Sequence, residues 1–168
     1  ASKCSTIPAV PPERRAEPPL GEDEAEDLVR EVYGIEGAAA ALPGEFDDNF
    51  RIDAGDGRAF VLKAMHPARE RGLVELQCDA LLHLERQAPE LPLPRVVPTR
   101  TSERIAVARA RDGTPRIVWM LSWLPGTPLA EARPRTGGSL RDLGRLLGRM
   151  DEALRGFEHP GAHRELAW

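Results

Sequence analysis

The sequence predicts an α+β fold, and three observations carry that prediction. Asn49 to Ile52 and Ala59 to Lys63 are short strand-like segments flanking a Gly55-Asp56-Gly57 turn, the pattern of an antiparallel hairpin. Pro67 to Ala88 then repeats Leu73, Leu76, Ala80, Leu81 and Leu84 at three- and four-residue intervals, the stripe of a helix packed on a sheet. Arg116 to Leu124 is a near-continuous apolar run stopped by Pro125-Gly126, as expected of a strand buried on both faces.

The 168 residues, 41% hydrophobic and 30% charged, suffice for one domain with a real core. The net charge is −4 and the two signs are interspersed, which argues against a nucleic-acid or anionic-membrane surface. Cys4 and Cys78 are read as two free thiols, since two cysteines do not make a disulfide framework. No apolar run approaches the roughly 18 residues of a membrane span, and the N-terminus lacks a signal-peptide core. The expected location is the cytoplasm; the oligomeric state is left open.

In chain order, residues 1–20 carry five prolines and few apolar side chains, and are expected to form a flexible lead. Glu22 to Tyr33 places Ala25, Leu28, Val29 and Val32 at helical spacing, with acidic residues at the positive end of the dipole and Gly34 as a stop. Its acid cluster is read as a solvated face. Ile35 to Leu42 is short of β-branched residues, so propensity alone does not make it a strand. In the hairpin, period two puts Val61 and Lys63 on one face and Phe60 and Leu62 on the other. A lysine that ends a buried strand must reach a carboxylate, a phosphate or water. Glu75, twelve residues on in the helical stretch, could meet it, although from the residues alone a solvated glutamate is the favoured reading.

Pro67 suits a first helical turn. The prolines of Leu91 to Pro98 exclude a helix there. Ile105 to Ala108 reads as a strand and Asp112-Gly113 as a second hairpin turn. Trp119 is read as a core residue. Thr127 to Gly138 is a loop; Ser139 is expected to cap a helix from Leu140 to about Phe157 with a stripe of Leu143, Leu146, Leu147, Met150 and Leu154.

Turn, hairpin, strand-end lysine and helix-borne glutamate follow the order of a kinase nucleotide-binding lobe. The turn is not GxGxxG. PGEFDDNF followed by FVLK instead resembles the aminoglycoside phosphotransferase and choline kinase superfamily, in particular its hydroxylysine-kinase-like branch with GE-x-D-x-NF and VLK. VELQ at 74–77, the LPxPR link at 91–95, WLPG at 123–126 and the F-x-HP ending extend the resemblance over about Glu24 to Trp168. It implies a protein-kinase-like N-lobe of about five antiparallel strands, Ile35 to Leu42 being the first, with an αC-type helix across the sheet. It divides the chain into the lead, a lobe over residues 21–126, and a hinge loop and linker helix over 127–168 leading to a C-lobe.

The same resemblance implies ATP or GTP with Mg²⁺. Lys63 would contact the α/β-phosphates and Glu75 would hold its ammonium. The turn from Gly44 to Asn49 would cover the phosphates with backbone N–H groups, Gly44 permitting close approach. Val61 and Leu121 would line the base pocket, with the Ser122 carbonyl and the Leu124 N–H on the base edge. Glu45, Asp47 and Asp48 depart from an anion nest, because three carboxylates repel a triphosphate unless they point outward or act through Mg²⁺.

Phosphoryl transfer also needs an aspartate for the acceptor hydroxyl and an Asn and Asp for the metal. The superfamily's HxDxxxxN is absent, and His163-Arg164-Glu165 has Glu where Asp is needed, so it is read as helix or linker. No catalytic or metal-ligating residue is therefore assigned, and the chain is expected to be an inactive N-terminal fragment. The parent would phosphorylate a small amine-bearing alcohol; PLP would enter only through a fused class III aminotransferase domain. Two rivals stand beside this reading: a non-catalytic kinase-like regulatory or interaction module, and an unrelated α+β binding domain.

Overall fold

The computed structural model describes residues 18–134 and 136–163, so Cys4 and the Arg164-Glu165 part of the HRE sequence lie outside the described residues. The elements are α1 (Glu22–Tyr33), β1 (Gly37–Leu42), β2 (Asp48–Ala54), β3 (Ala59–Ala64), α2 (Arg71–Gln87), β4 (Val96–Val97), β5 (Ala106–Arg109), β6 (Pro115–Ser122), α3 (Gly137–Ala153) and a 3₁₀ turn at Pro160–Ala162. The strands form one antiparallel sheet in the order β1-β2-β3-β6-β4. β5 pairs with the first half of β6, and β4 with its second half. Six strands thus replace the expected five or so, the additional one being two residues of the proline-rich link.

The sheet is covered on both faces. Phe60, Leu62 and Ala64 of β3 meet Phe50 and Ile52 of β2 and Val118 and Met120 of β6, under Ala25, Leu28, Val29 and Tyr33 of α1. On the other face, Trp119 of β6 and Met65 pack with Val74 and Cys78 of α2. This split is what the period-two reading of β3 requires. Trp119 is core, 3% exposed.

β1, GAAAAL, is a strand for a reason that propensity does not supply. It is an edge strand, and edge N–H groups need partners. Glu26 Oε1 accepts the Ala39 N–H at 2.9 Å, and Glu22 Oε1 the Ala41 N–H at 2.8 Å. Asp27 pairs with Arg30 and, at 2.9 Å, with Arg111. The acidic cluster of α1 is therefore not a merely solvated face; it stitches the helix to the sheet. α1 ends on Gly34 in the left-handed region at φ 68°.

α2 starts at Arg71, not at Pro67, because residues 66–69 are held in a turn: the Arg69 N–H donates to the His66 carbonyl at 2.8 Å and the His66 N–H to Asp47 Oδ1 at 2.8 Å. Its fully buried positions are Val74, Cys78 and Leu84, whereas Leu73, Leu76 and Ala80 are half-buried. The apolar arc is wider than the leucine stripe suggests, and the sheet takes its other side. Desolvation pushes the buried Cys78 thiol up to about 11.

α3 is capped by Thr136 instead of Ser139. The Ser139 N–H donates to Thr136 Oγ1 at 3.1 Å, and the Thr136 N–H donates back to Ser139 Oγ at 3.0 Å. The helix ends at Ala153, short of Phe157, before Gly156 at φ 76°. No α3 residue is fully buried, and Leu147 of the expected stripe is exposed. The segment after α3 leans on α2: His83 Nε2 lies 2.9 Å from the Ala153 carbonyl, Phe157 packs on His83, and His159 Nε2 sits 3.4 Å from Asp79. Leu20, at the end of the proline-rich lead, is buried and donates its N–H to Asp48 Oδ2 at 3.1 Å.

Candidate functional site

The α2-facing side of the sheet brings most of the sequence-predicted residues into two adjacent rows. Antiparallel pairing sets Asn49 opposite Lys63 and Lys63 opposite Trp119; one step along, Arg51 stands opposite Val61, and Val61 opposite Leu121. Residues directly opposed in a ladder share a face. Asn49, Lys63, Val61 and Leu121 therefore form a continuous patch across three strands, a polar row beside an apolar one. Arg51 closes the apolar row by stacking its guanidinium on Trp123, 4.7 Å from the ring centre.

Lys63 is half-buried, and its Nζ donates to Asn49 Oδ1 at 2.7 Å. The expected ion pair with Glu75 is not made. Glu75 accepts instead from Arg71, four residues earlier on the same helix, at 2.8 Å. Arg71 is in reach through one helical turn, and Asn49 is directly across the ladder from Lys63, so each partner is satisfied locally. Desolvation holds the Lys63 ammonium below the ordinary lysine value; the Asp47 carboxylate opposes that shift and the Arg69 guanidinium reinforces it.

The turn before β2 is built around its acids. Asp47 accepts the His66 N–H through Oδ1 and the Arg69 guanidinium through Oδ2 at 3.0 Å, which fastens the turn to the β3–α2 connection. Arg69 also lies over the Phe46 ring, 5.9 Å from its centre. Asp48 is fully buried against Arg116, which donates to Asp48 Oδ2 at 2.9 Å, to the Met65 carbonyl at 2.6 Å and to the Ala64 carbonyl at 3.2 Å. Two of the three carboxylates thus carry structural cations, and Glu45 is exposed. Gly44 is needed for the turn's own closure: a Cβ there would collide with the Asp47 carbonyl and come 2.5 Å from Asn49 Nδ2.

At the end of β6 the expected base-contacting positions lie apart in exposure. Leu121 is half-buried against the α2-side cluster, and Leu124 is 44% exposed. Ser122 faces away, its Oγ accepting the Arg95 N–H at 2.9 Å while its own N–H donates to the Arg95 carbonyl at 2.8 Å. Among the described residues no cluster of three or more His, Cys, Asp or Glu could hold a metal ion, and no helix is long and apolar enough to cross a membrane. Sequence reasoning passed over Arg69, Arg116 and the Asn49–Lys63 contact. The contact was readable from the hairpin register; the two arginines, each far in sequence from its aspartate, left no local mark.

An antiparallel sheet crossed by a helix, with a desolvated strand-end lysine on the helix side, is the architecture of kinase-like phosphotransferases. Residues 38–168 match the APH phosphotransferase enzyme family, and the chain belongs to that family. It is 28% identical over 155 residues to hydroxylysine kinase of Danio rerio, covering 88% of this chain and 42% of that protein. To hydroxylysine kinase of Mus musculus it is 30% identical over 166 residues, covering 89% and 43%. The chain therefore spans less than half the length of these curated relatives. Among solved structures it resembles amicoumacin kinase in complex with AMP-PNP, Ca²⁺ and Ami, at TM-score 0.72 and 16% identity over 87% of this chain and 44% of that one. It also resembles a microcompartment-associated aminopropanol kinase, at TM-score 0.65 and 19% identity over 86% and 44%. At these identities the likeness is one of fold.

Proposed function

We propose that the chain is the nucleotide-binding N-lobe of a small-molecule phosphotransferase that transfers the γ-phosphate of ATP or GTP to a hydroxyl group. The observation that carries this reading is Lys63: a partly desolvated ammonium beside the apolar Val61–Leu121 row, with a neutral side chain as its hydrogen-bond partner. In this reading the lysine meets the α/β-phosphates, and the turn from Gly44 to Asn49 lies over them. The base rests on Val61 and Leu121, with its edge on the Ser122 carbonyl and the Leu124 N–H. Lys63 lowers the energy of the charge that the phosphates carry; it moves no proton.

The described residues hold no carboxylate cluster fit for Mg²⁺. The metal ligands and the acceptor-orienting aspartate are assigned to the part of the enzyme beyond this chain, as is the acceptor pocket. A small amine-bearing alcohol is the proposed acceptor, on the strength of relatives named as hydroxylysine kinases and a fold neighbour named as an aminopropanol kinase. A PLP-dependent aminotransferase domain fused downstream fits such an acceptor, and the coding sequence after Trp168 tests that arrangement. The non-catalytic alternative drew its support from the acidic turn, which loses force once Asp47 and Asp48 are matched by Arg69 and Arg116. Lys63→Ala in the full-length enzyme is expected to lose most nucleotide-dependent phosphoryl transfer; near-normal turnover refutes the proposal.

A further inference from the structure

We propose that Asn49, not a helix-borne carboxylate, is the positioning residue for Lys63, and that it ties the ammonium and the covering turn into one unit. The inference rests on the reading of Lys63 as a phosphate contact. Four observations carry it. Asn49 and Lys63 are directly opposed in the β2–β3 ladder, with Nζ to Oδ1 at 2.7 Å. The other end of the same carboxamide, Nδ2, donates to the Asp47 carbonyl at 3.2 Å, inside the turn. Gly44 closes over that amide so tightly that a Cβ would come within 2.5 Å of Nδ2. The expected partner Glu75 is engaged by Arg71, and Asp47, whose charge acts on Lys63, by Arg69 and the His66 N–H.

The chemistry favours a neutral partner. A carboxylate against Lys63 would orient the ammonium but also cancel much of its charge and compete with an incoming phosphate. A carboxamide oxygen orients it through one hydrogen bond and leaves the full positive charge for the ligand. Arg69, whose guanidinium acts electrostatically on Lys63, adds a second positive field to the same side, while Asp47 supplies the opposing negative one. The Trp119 ring is centred 6.0 Å from Nζ.

The test uses Asn49→Asp and Glu75→Gln in the full-length enzyme. Lys63 is acylated at a series of pH values without nucleotide and followed by mass spectrometry, and the nucleotide KM and kcat are measured in parallel. Asn49→Asp is expected to slow Lys63 acylation about tenfold at mildly alkaline pH, because the new carboxylate stabilises the ammonium. It is also expected to raise the nucleotide KM about tenfold with a smaller change in kcat. Glu75→Gln is expected to leave the acylation profile within about twofold of wild type. A profile that moves with Glu75→Gln overturns the inference, and that half-exposed helix position decides the matter even if Asn49→Asp does not fold. A profile unmoved by a folded Asn49→Asp variant overturns it too. An acylation shift in Asn49→Asp with an unchanged nucleotide KM supports the pairing but contradicts the phosphate role of Lys63, so the two readings fail separately.

Discussion

Replacing Arg116 by leucine removes the cation at the centre of the fold's one deeply buried ion pair among the described residues. The Arg116 side chain is 2% exposed and that of Asp48 is fully buried. The guanidinium serves three acceptors at once: the Asp48 carboxylate, the Met65 carbonyl and the Ala64 carbonyl. Leucine fills part of the volume but takes a guanidinium from a buried carboxylate that keeps the Leu20 N–H, and leaves two carbonyls short of a donor. Breaking such a pair from one side costs up to about 3–5 kcal/mol. Urea denaturation followed by far-UV circular dichroism measures it, as a lower midpoint at unchanged slope. The double variant Asp48→Asn, Arg116→Leu is expected to lose less than the sum of the single losses, by about 1 kcal/mol or more, since the two groups share one interaction. A loss under about 1 kcal/mol for Arg116→Leu alone would refute the reasoning.

Gly44→Ala forces the turn off the Asp47 carbonyl and the Asn49 amide. It is expected to cost about 1–3 kcal/mol in the same denaturation assay and to weaken nucleotide binding, read by isothermal titration. Cys78 gives a pH-dependent prediction. Its thiol is pushed up to about 11 from an ordinary value of 9.0, so the unfolded chain loses that proton first. The stabilisation of the folded state is thus whole below pH 9 and lost as pH rises towards 11, up to about 3 kcal/mol. A Cys78→Ala variant, less stable at neutral pH, is expected to show a correspondingly flatter alkaline decline in urea midpoints.

The hairpin, the two covered faces of β3 and the helices α1 and α2 were legible because period and turn chemistry act locally. The sequence pattern of Ala59 to Lys63 already assigns Lys63 to one face, and the ladder keeps it there. What local pattern does not encode is which of two reachable partners wins. Glu75 is one turn from Arg71, a neighbour as strong as any and closer in sequence than Lys63. The β1 segment carried no strand signal of its own because its pairing is completed by Glu22 and Glu26 from α1, a tertiary contribution. The start of α2 was misjudged for a similar reason: Asp47, nineteen residues before His66, captures the His66 N–H and holds that stretch in a turn. Asp48 and Arg116, 68 residues apart, could only be matched in three dimensions.

The most direct test of the central claim is protection of Lys63 by nucleotide. The full-length protein is acylated with and without saturating ATP or GTP and Mg²⁺, and modification of Lys63 is counted by mass spectrometry against a lysine-bearing reference peptide in the same reaction. Occupation of the site is expected to slow Lys63 modification about tenfold or more while leaving modification of the reference peptide unchanged. Equal modification of Lys63 in the presence and absence of both nucleotides would contradict the account.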